Sequence, residues 1–204
     1  IPSEPIMFMK PTSSLSGPND EVMLPKGLIL GKKEAKQKDS VCSDWEVELG
    51  IVIGDTARSV SAARALSYVA GYTLVNDVSE REYQMKAAAG QWTRGKGFDT
   101  SCPVGPWLVT RDEVKKVQNL DLWLNLNGKR MQTGHTSTMI FDVKTIVSYV
   151  SHYMTLQPGD IIATGTPPGV GGGMKPQKFL KHGDEMHLGI EKLGEQRQKV
   201  VKWK

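Results

Sequence analysis

The sequence predicts a mixed α+β domain whose strands outnumber its helices and build a largely antiparallel or mixed sheet. Three observations carry this. Apolar runs of strand length recur at residues 46–53, 71–76, 120–126, 160–164, 185–190 and 196–201. One segment, opened by Asp142, sustains a helical stripe, with Ile146, Val147, Val150, Tyr153 and Met154 at i, i+3 and i+4 spacing. The strands do not alternate strictly with helices of crossover length, which argues against a doubly wound parallel sheet.

The remaining elements follow from local signals. Ser61 is placed to cap a short helix ending at Gly71, and Ser79 with Glu82 and Thr110 with Glu113 have capping-box spacing. Asn127-Gly128 between two apolar runs predicts a hairpin, and Pro158-Gly159-Asp160 a turn leading into a strand. No internal repeat is visible.

The chain has 204 residues, 39% of them hydrophobic and 24% charged, with 26 Lys and Arg against 22 Asp and Glu for a net charge of +4. One domain spanning residues 1–204, with a sizeable core, fits this length. The balance excludes collagen, coiled-coil and low-complexity chains. The longest apolar run, around residues 49–53, falls far short of the roughly 20 residues a membrane span needs. Cys42 and Cys102 form no CxxC pair, which points to a reducing, cytoplasmic compartment. The opening Ile1-Pro-Ser-Glu-Pro shows no signal-peptide pattern. The excess lysine is concentrated in residues 26–38, where Glu34 interrupts it and no aromatic offers base stacking, so the segment reads as a solvated loop rather than a nucleic-acid surface.

The chemistry is concentrated in Asp44-Trp-Glu-Val-Glu-Leu-Gly-Ile-Val-Ile53. As a strand, this segment puts Trp45, Val47, Leu49, Ile51 and Ile53 on one face and Glu46 and Glu48 on the other, about 7 Å apart. An isolated E-x-E is ordinarily a solvent-facing edge. Here it runs straight into Gly50-Ile-Val-Ile53, apolar on both faces, which fits the mouth of a site where a cation compensates the carboxylates. Asp77, directly after the strand at residues 71–76, offers a third carboxylate, although a strand-end Asp is common without any such role. Three hard oxygen ligands suit Mg²⁺ or Mn²⁺.

Lys96 sits between Gly95 and Gly97, either a plain turn or a cation placed to neutralise a carboxylate or an enolate oxygen. Residues 160–171 are a strand feeding a Gly/Pro-rich turn with Thr164 and Thr166, whose amides and hydroxyls are suited to hold an anion as a nest. There is no P-loop, GxGxxG, GxSxG, HExxH or SxxK, and the four histidines, His135, His152, His182 and His187, lack metal spacing.

These segments together resemble the fumarylacetoacetate hydrolase family. The matching pieces are Pro5-Ile-Met-Phe-Met-Lys-Pro11, Asp44-Trp-Glu-Val-Glu-Leu49, Tyr68-Val-Ala-Gly-Tyr-Thr-Leu-Val-Asn-Asp77, Ser79-Glu-Arg-Glu-Tyr-Gln84, Lys96-Gly-Phe-Asp-Thr100, Ser137-Thr-Met-Ile-Phe141 and Pro158 through Val170. They span nearly the whole chain in family order. The wording is most similar to a bacterial branch of sugar-acid diketo hydrolases, loosely also called ureidoglycolate lyases.

The resemblance implies a mixed β-sheet roll of the family's C-terminal domain type, with a few short helices, and a homodimer. It implies Glu46, Glu48 and Asp77 as Mg²⁺ or Mn²⁺ ligands, Arg81 and Gln84 as substrate-binding residues, and Lys96 and Thr166 as catalytic residues that hold negative charge. The expected activity is hydrolysis of a C–C bond in a short diketo or acylpyruvate-type 2-oxo acid. Oxaloacetate-type decarboxylation, keto–enol isomerisation and a non-catalytic oxo-acid-binding paralogue stay open beside it. The expected partner is a small oxo acid, with no nucleic acid and no membrane. Two departures stand out: no residue of this chain matches the family's water-activating His and Glu, and residues 28–39 form an inserted loop close to the metal strand.

Overall fold

The computed structural model describes residues 1–30, 35–85 and 90–203. Nine strands build the two main sheets: β1 (Val22–Leu24), β2 (Val47–Ile53), β3 (Val69–Asn76), β4 (Val109–Thr110), β5 (Asp121–Leu126), β6 (Lys129–His135), β7 (Ile161–Ala163), β8 (Glu185–Ile190) and β9 (Gly194–Lys202). One sheet has the order β4-β3-β2-β7, all antiparallel, and the other β6-β5-β8-β9-β1, parallel only at the β9–β1 edge. Strand pairing is thus mixed and mainly antiparallel, and the helices are short, α1 (Ala62–Ala65), α2 (Arg81–Met85), α3 (Trp92–Lys96) and α4 (Val143–Tyr153).

The core lies between the sheets because their inner faces carry the apolar alternation. Val47, Leu49, Ile51 and Ile53 of β2 join Leu122, Leu124 and Leu126 of β5 and Met186, Leu188 and Ile190 of β8 in one buried cluster. All seven residues of β2 are buried, as its apolar continuation predicts. Asp142 caps α4 by accepting from Thr145 N at 2.9 Å, and the buried Val143, Ile146, Val147 and Val150 form the stripe that docks it. Asn127 and Gly128 adopt φ of 51° and 76°, the two left-handed residues of a tight hairpin between β5 and β6.

Some local signals led elsewhere. Thr110 with Glu113 opens a turn, not a helix, and Ser61 precedes α1 without a side-chain cap bond. Ser79 pairs in a two-residue strand with Asp44 and donates its hydroxyl to Asp77 O at 2.8 Å, so it caps nothing. Glu80 takes that part instead, accepting from Tyr83 N at 2.5 Å at the start of α2. The lysine-rich segment is a hairpin of Lys26–Leu30 with Ala35–Asp39, not an irregular loop, and residues 31–34 of it lie outside the described residues. Lys38 of the hairpin pairs with Glu82 of α2 at 2.8 Å.

Candidate metal centre

The pairing of β2 with β3 sets Val47 opposite Asn76, which brings Glu46 and Asp77 together just beyond the paired ends. Asp77 N donates to Glu46 O at 2.9 Å, and Glu48 follows one pleat along β2. A carboxylate oxygen from each of Glu46, Glu48 and Asp77 lies within 4.8 Å of the others, and the three residues are 6%, 3% and 0% exposed. A second acidic group among the described residues, Cys42, Glu80 and Glu82, is tied up differently: Glu80 accepts from Ser40 and Tyr83, and Glu82 pairs with Lys38.

Three cations face the main cluster. Lys96, the last residue of α3, is 2% exposed and reaches Glu46 Oε2 at 2.6 Å and Asp77 Oδ2 at 2.5 Å. Lys10 contacts the other oxygen of Asp77 at 2.7 Å and donates to the carbonyl of Lys96. Arg81 Nη1 binds Glu46 Oε1 at 2.7 Å and Gln84 Oε1 at 3.1 Å. The sequence-predicted Glu46, Glu48, Asp77, Lys96, Arg81 and Gln84 therefore converge on one place.

Glu48 differs from its neighbours. It accepts from Gly165 N at 2.7 Å, and among the described residues no cation pairs with it directly. Burial, with the charges of Asp77 and Glu46 beside it, pushes its carboxyl well above the usual range. Burial pushes Asp77 upward too, but Lys10 and Lys96 outweigh it and hold this carboxyl below its ordinary value. Lys96 keeps its proton: burial works against the ammonium, and Glu46, Asp77 and Glu48 more than offset that. A buried carboxylate without an ion pair is costly, and the three oxygen donors that Glu48 forms with Glu46 and Asp77 are what a hard divalent cation binds, so these residues fit Mg²⁺ or Mn²⁺.

The Gly/Pro-rich turn after β7 closes the site on the β2 side. Thr164 N and Oγ1 bond to Leu49 O, and Trp45 Nε1 donates to Gly169 O at 3.1 Å. Its amides do hold anions, but internal ones: Gly165 N binds Glu48, and Gly171 N and Gly172 N bind Asp44 at 2.7 and 2.8 Å. Thr166 lies on this turn, and its hydroxyl donates to Val47 O at 3.0 Å while accepting from Gln132 Nε2 at 2.8 Å. That proton is engaged with the backbone of β2.

Sequence reasoning gave no role to Lys10, Asp44 or Gln132. Lys10 stands in the Phe-Met-Lys-Pro segment, and only the fold brings it against Asp77, 67 residues away. Asp44 has the same strand parity as Glu46 and Glu48, which is the signal that could have found it.

The family model described as fumarylacetoacetate (FAA) hydrolase C-terminal matches residues 1–201. The chain belongs to the fumarylacetoacetate hydrolase family. A 2,4-didehydro-3-deoxy-L-rhamnonate hydrolase of a Sphingomonas species is 62% identical over 205 residues, covering 100% of this chain and 67% of that protein. The chain spans about two thirds of the length of the curated relatives it matches. Among solved structures, a 2-hydroxyhepta-2,4-diene-1,7-dioate isomerase from Mycobacterium marinum superposes with TM-score 0.84 at 41% identity, covering 98% of this chain and 70% of the other. A maleylpyruvate hydrolase from a Sphingobium species, in complex with manganese(II) ion and pyruvate, gives TM-score 0.78 at 36% identity, covering 97% and 64%. The fold is that of the family, as its motifs implied, and the family's named members are hydrolases and isomerases.

Proposed function

We propose that this chain is the catalytic domain of a Mg²⁺- or Mn²⁺-dependent hydrolase that cleaves a C–C bond in a short diketo or acylpyruvate-type 2-oxo acid. The observation that carries this is Glu48, buried without an ion pair beside Glu46 and Asp77, whose oxygens lie within 4.8 Å. Glu46, Glu48 and Asp77 hold the cation, which when bound supplies a charge that polarises the carboxylate and 2-oxo oxygens of the substrate. Lys96 places a buried ammonium beside them to neutralise the enolate oxygen that forms as the C–C bond breaks. Arg81 and Gln84 orient the substrate's anionic end. Thr166, with its hydroxyl engaged by Val47 and Gln132, acts by fixing the turn at the edge of the site.

A second reading, decarboxylation or keto–enol isomerisation on the same residues, is favoured by one observation. Among the described residues no histidine forms a hydrogen bond or ion pair with Glu46, Glu48 or Asp77, and the groups that do are Lys10, Arg81, Lys96 and the Gly165 amide, which stabilise charge. The same reading takes a small oxo acid as the partner, a homodimer as the working unit and the cytoplasm as its place. Light scattering of the purified protein tests the dimer.

The deciding experiment is Mn²⁺ binding by water-proton relaxation to wild type and to Glu46→Gln, Glu48→Gln and Asp77→Asn, with circular dichroism as the folding control. Each substitution should weaken binding by tenfold or more, about 1.4 kcal/mol. A folded wild type that binds neither Mn²⁺ nor Mg²⁺ makes the carboxylates structural and ends the catalytic reading. Assays on diketo acids, oxaloacetate and enol substrates then separate hydrolase, decarboxylase and isomerase. Metal binding with turnover of none of them leaves an oxo-acid-binding protein.

A further inference from the structure

We infer that Asp44 is a positioning residue of this site, one that holds the Arg81 guanidinium against Glu46 and aims its remaining N–H at the substrate's anionic group. The inference rests on the function proposed above and extends it to a residue outside the ligand set.

Asp44, Glu46 and Glu48 share one strand parity, yet only the latter two join Asp77 in the cation cluster. The difference is how fully Asp44 is engaged. It is 0% exposed; its Oδ1 accepts from Trp45 N at 2.9 Å and Gly171 N at 2.7 Å, and its Oδ2 accepts from Gly172 N at 2.8 Å and from Arg81 Nε at 2.9 Å, with Arg81 Nη2 in ion-pair contact at 2.9 Å. A carboxylate has about four acceptor sites, so nothing is left over for a metal.

Arg81 has five N–H bonds in a rigid fork. Nε donates to Asp44 and Nη1 to Gln84, while Nη2 lies in ion-pair contact with Asp44 at 2.9 Å and Nη1 with Glu46 at 2.7 Å. Nη2, in contact with Asp44 alone among the described residues, keeps an N–H for a ligand on a side chain 18% exposed. Without Asp44 the fork would be held only through Nη1, by Glu46 and Gln84, and would be free to pivot there. The same carboxylate ties down Gly171 and Gly172, so one buried charge sets Arg81 and the end of the Gly/Pro-rich turn together.

A double-mutant cycle separates orientation from scaffolding, with pyruvate as the probe on the Mn²⁺-loaded protein. Asp44→Asn should leave Mn²⁺ affinity within about threefold of wild type and weaken pyruvate about tenfold, within the range seen for coupled neighbours. In an Arg81→Met background the same change should cost less than twofold. An equal penalty in both backgrounds, or a loss of Mn²⁺ binding as large as that of Glu46→Gln, overturns the assignment and leaves Asp44 a structural anchor.

If Asp44→Asn does not fold, Arg81→Lys decides the point, because one ammonium keeps the charge but cannot span Asp44 and Glu46. It should lose as much pyruvate affinity as Arg81→Met, and near-wild-type binding overturns the inference. A wild type that binds Mn²⁺ but not pyruvate is a different failure. It removes the proposed function itself, and this assignment with it.

Discussion

Lys96 is where a single side chain decides most. Its Nζ lies 2.6 Å from Glu46 and 2.5 Å from Asp77 and 4.9 Å from the centre of the Phe8 ring, so the charge is held on all sides and stays protonated. Lys96→Ala should leave Mn²⁺ binding intact, since it removes a cation and not a ligand, while turnover of the oxo acid falls about 10²–10³-fold, the worth of one preorganised charge stabiliser. Relaxation titration and steady-state kinetics on the same preparation check this, and near-wild-type turnover would take Lys96 out of the mechanism. The carboxylate pair was legible because strand parity needs only local sequence, which puts Glu46 and Glu48 on one face; that the strand ending in Asp77 pairs beside them is what the fold added. Lys10 was not legible, and Asp44 was legible only in its parity, because what gives each its place is a partner brought in by the fold. Lys10 meets Asp77 across 67 residues, and Asp44 meets the turn at Gly171 across 127.

The elements explain why a glycine precedes that lysine. Gly95 lies where α3 presses on α2, and a Cβ there would sit 2.5 Å from both Gln84 N and Glu80 O. The segment ends a helix instead of forming the plain turn that the flanking glycines also allowed. Gly95→Ala should force α3 away from α2, costing roughly 1–3 kcal/mol. Because Lys96 is the next residue, turnover should fall along with stability. Urea denaturation and kinetics measure the two effects, and an unchanged midpoint would mean the helices are not in contact in solution. On the far side, α4 depends on Asp142. Burial pushes this carboxyl upward, but its bonds to Thr145 together with the Lys144 charge outweigh that and hold it below the ordinary value of 3.8. A group with a lowered folded pKa stabilises above its unfolded pKa and loses that contribution as pH falls through the folded one. Asp142→Ala should thus cost about 1 kcal/mol at neutral pH. The gap from wild type in urea melts should close only below pH 3.8. This cap was readable from sequence because an apolar stripe followed it. Thr110 with Glu113 had the spacing but no stripe, and the spacing alone did not make a helix.

Across the whole molecule, the two sheets are joined by buried amides as well as by apolar packing. Asn76, Gln132, Gln196 and Gln198 are each 0% exposed. Gln132 of β6 accepts from Val47 N at 3.1 Å and donates to Thr166 and Pro167, so the five-stranded sheet grips both β2 and the Gly/Pro-rich turn. Asn76 Oδ1 accepts from Glu46 N at 3.2 Å, and its Nδ2 donates to Gln198 Oε1 at 3.1 Å; Gln198 continues to Gln196 at 3.0 Å. Sequence periodicity could not reveal this line, because Gln and Asn within a strand read as its solvent face and only the tertiary partner turns them inward. Asn76→Leu keeps the volume nearly constant but leaves the Glu46 N–H and the Gln198 carbonyl unpaired in a dry interior, each worth about 1–3 kcal/mol. The variant should lose roughly 2–6 kcal/mol in urea denaturation. If it still folds, it should bind Mn²⁺ more weakly than wild type, because the backbone that presents Glu46 is no longer fixed. A loss of stability with Mn²⁺ affinity unchanged would show that the amides tie the sheets together without setting the ligand geometry. Loss of both would make the site a property of the sheet pair, which no reading of the Asp-Trp-Glu-Val-Glu strand alone could supply.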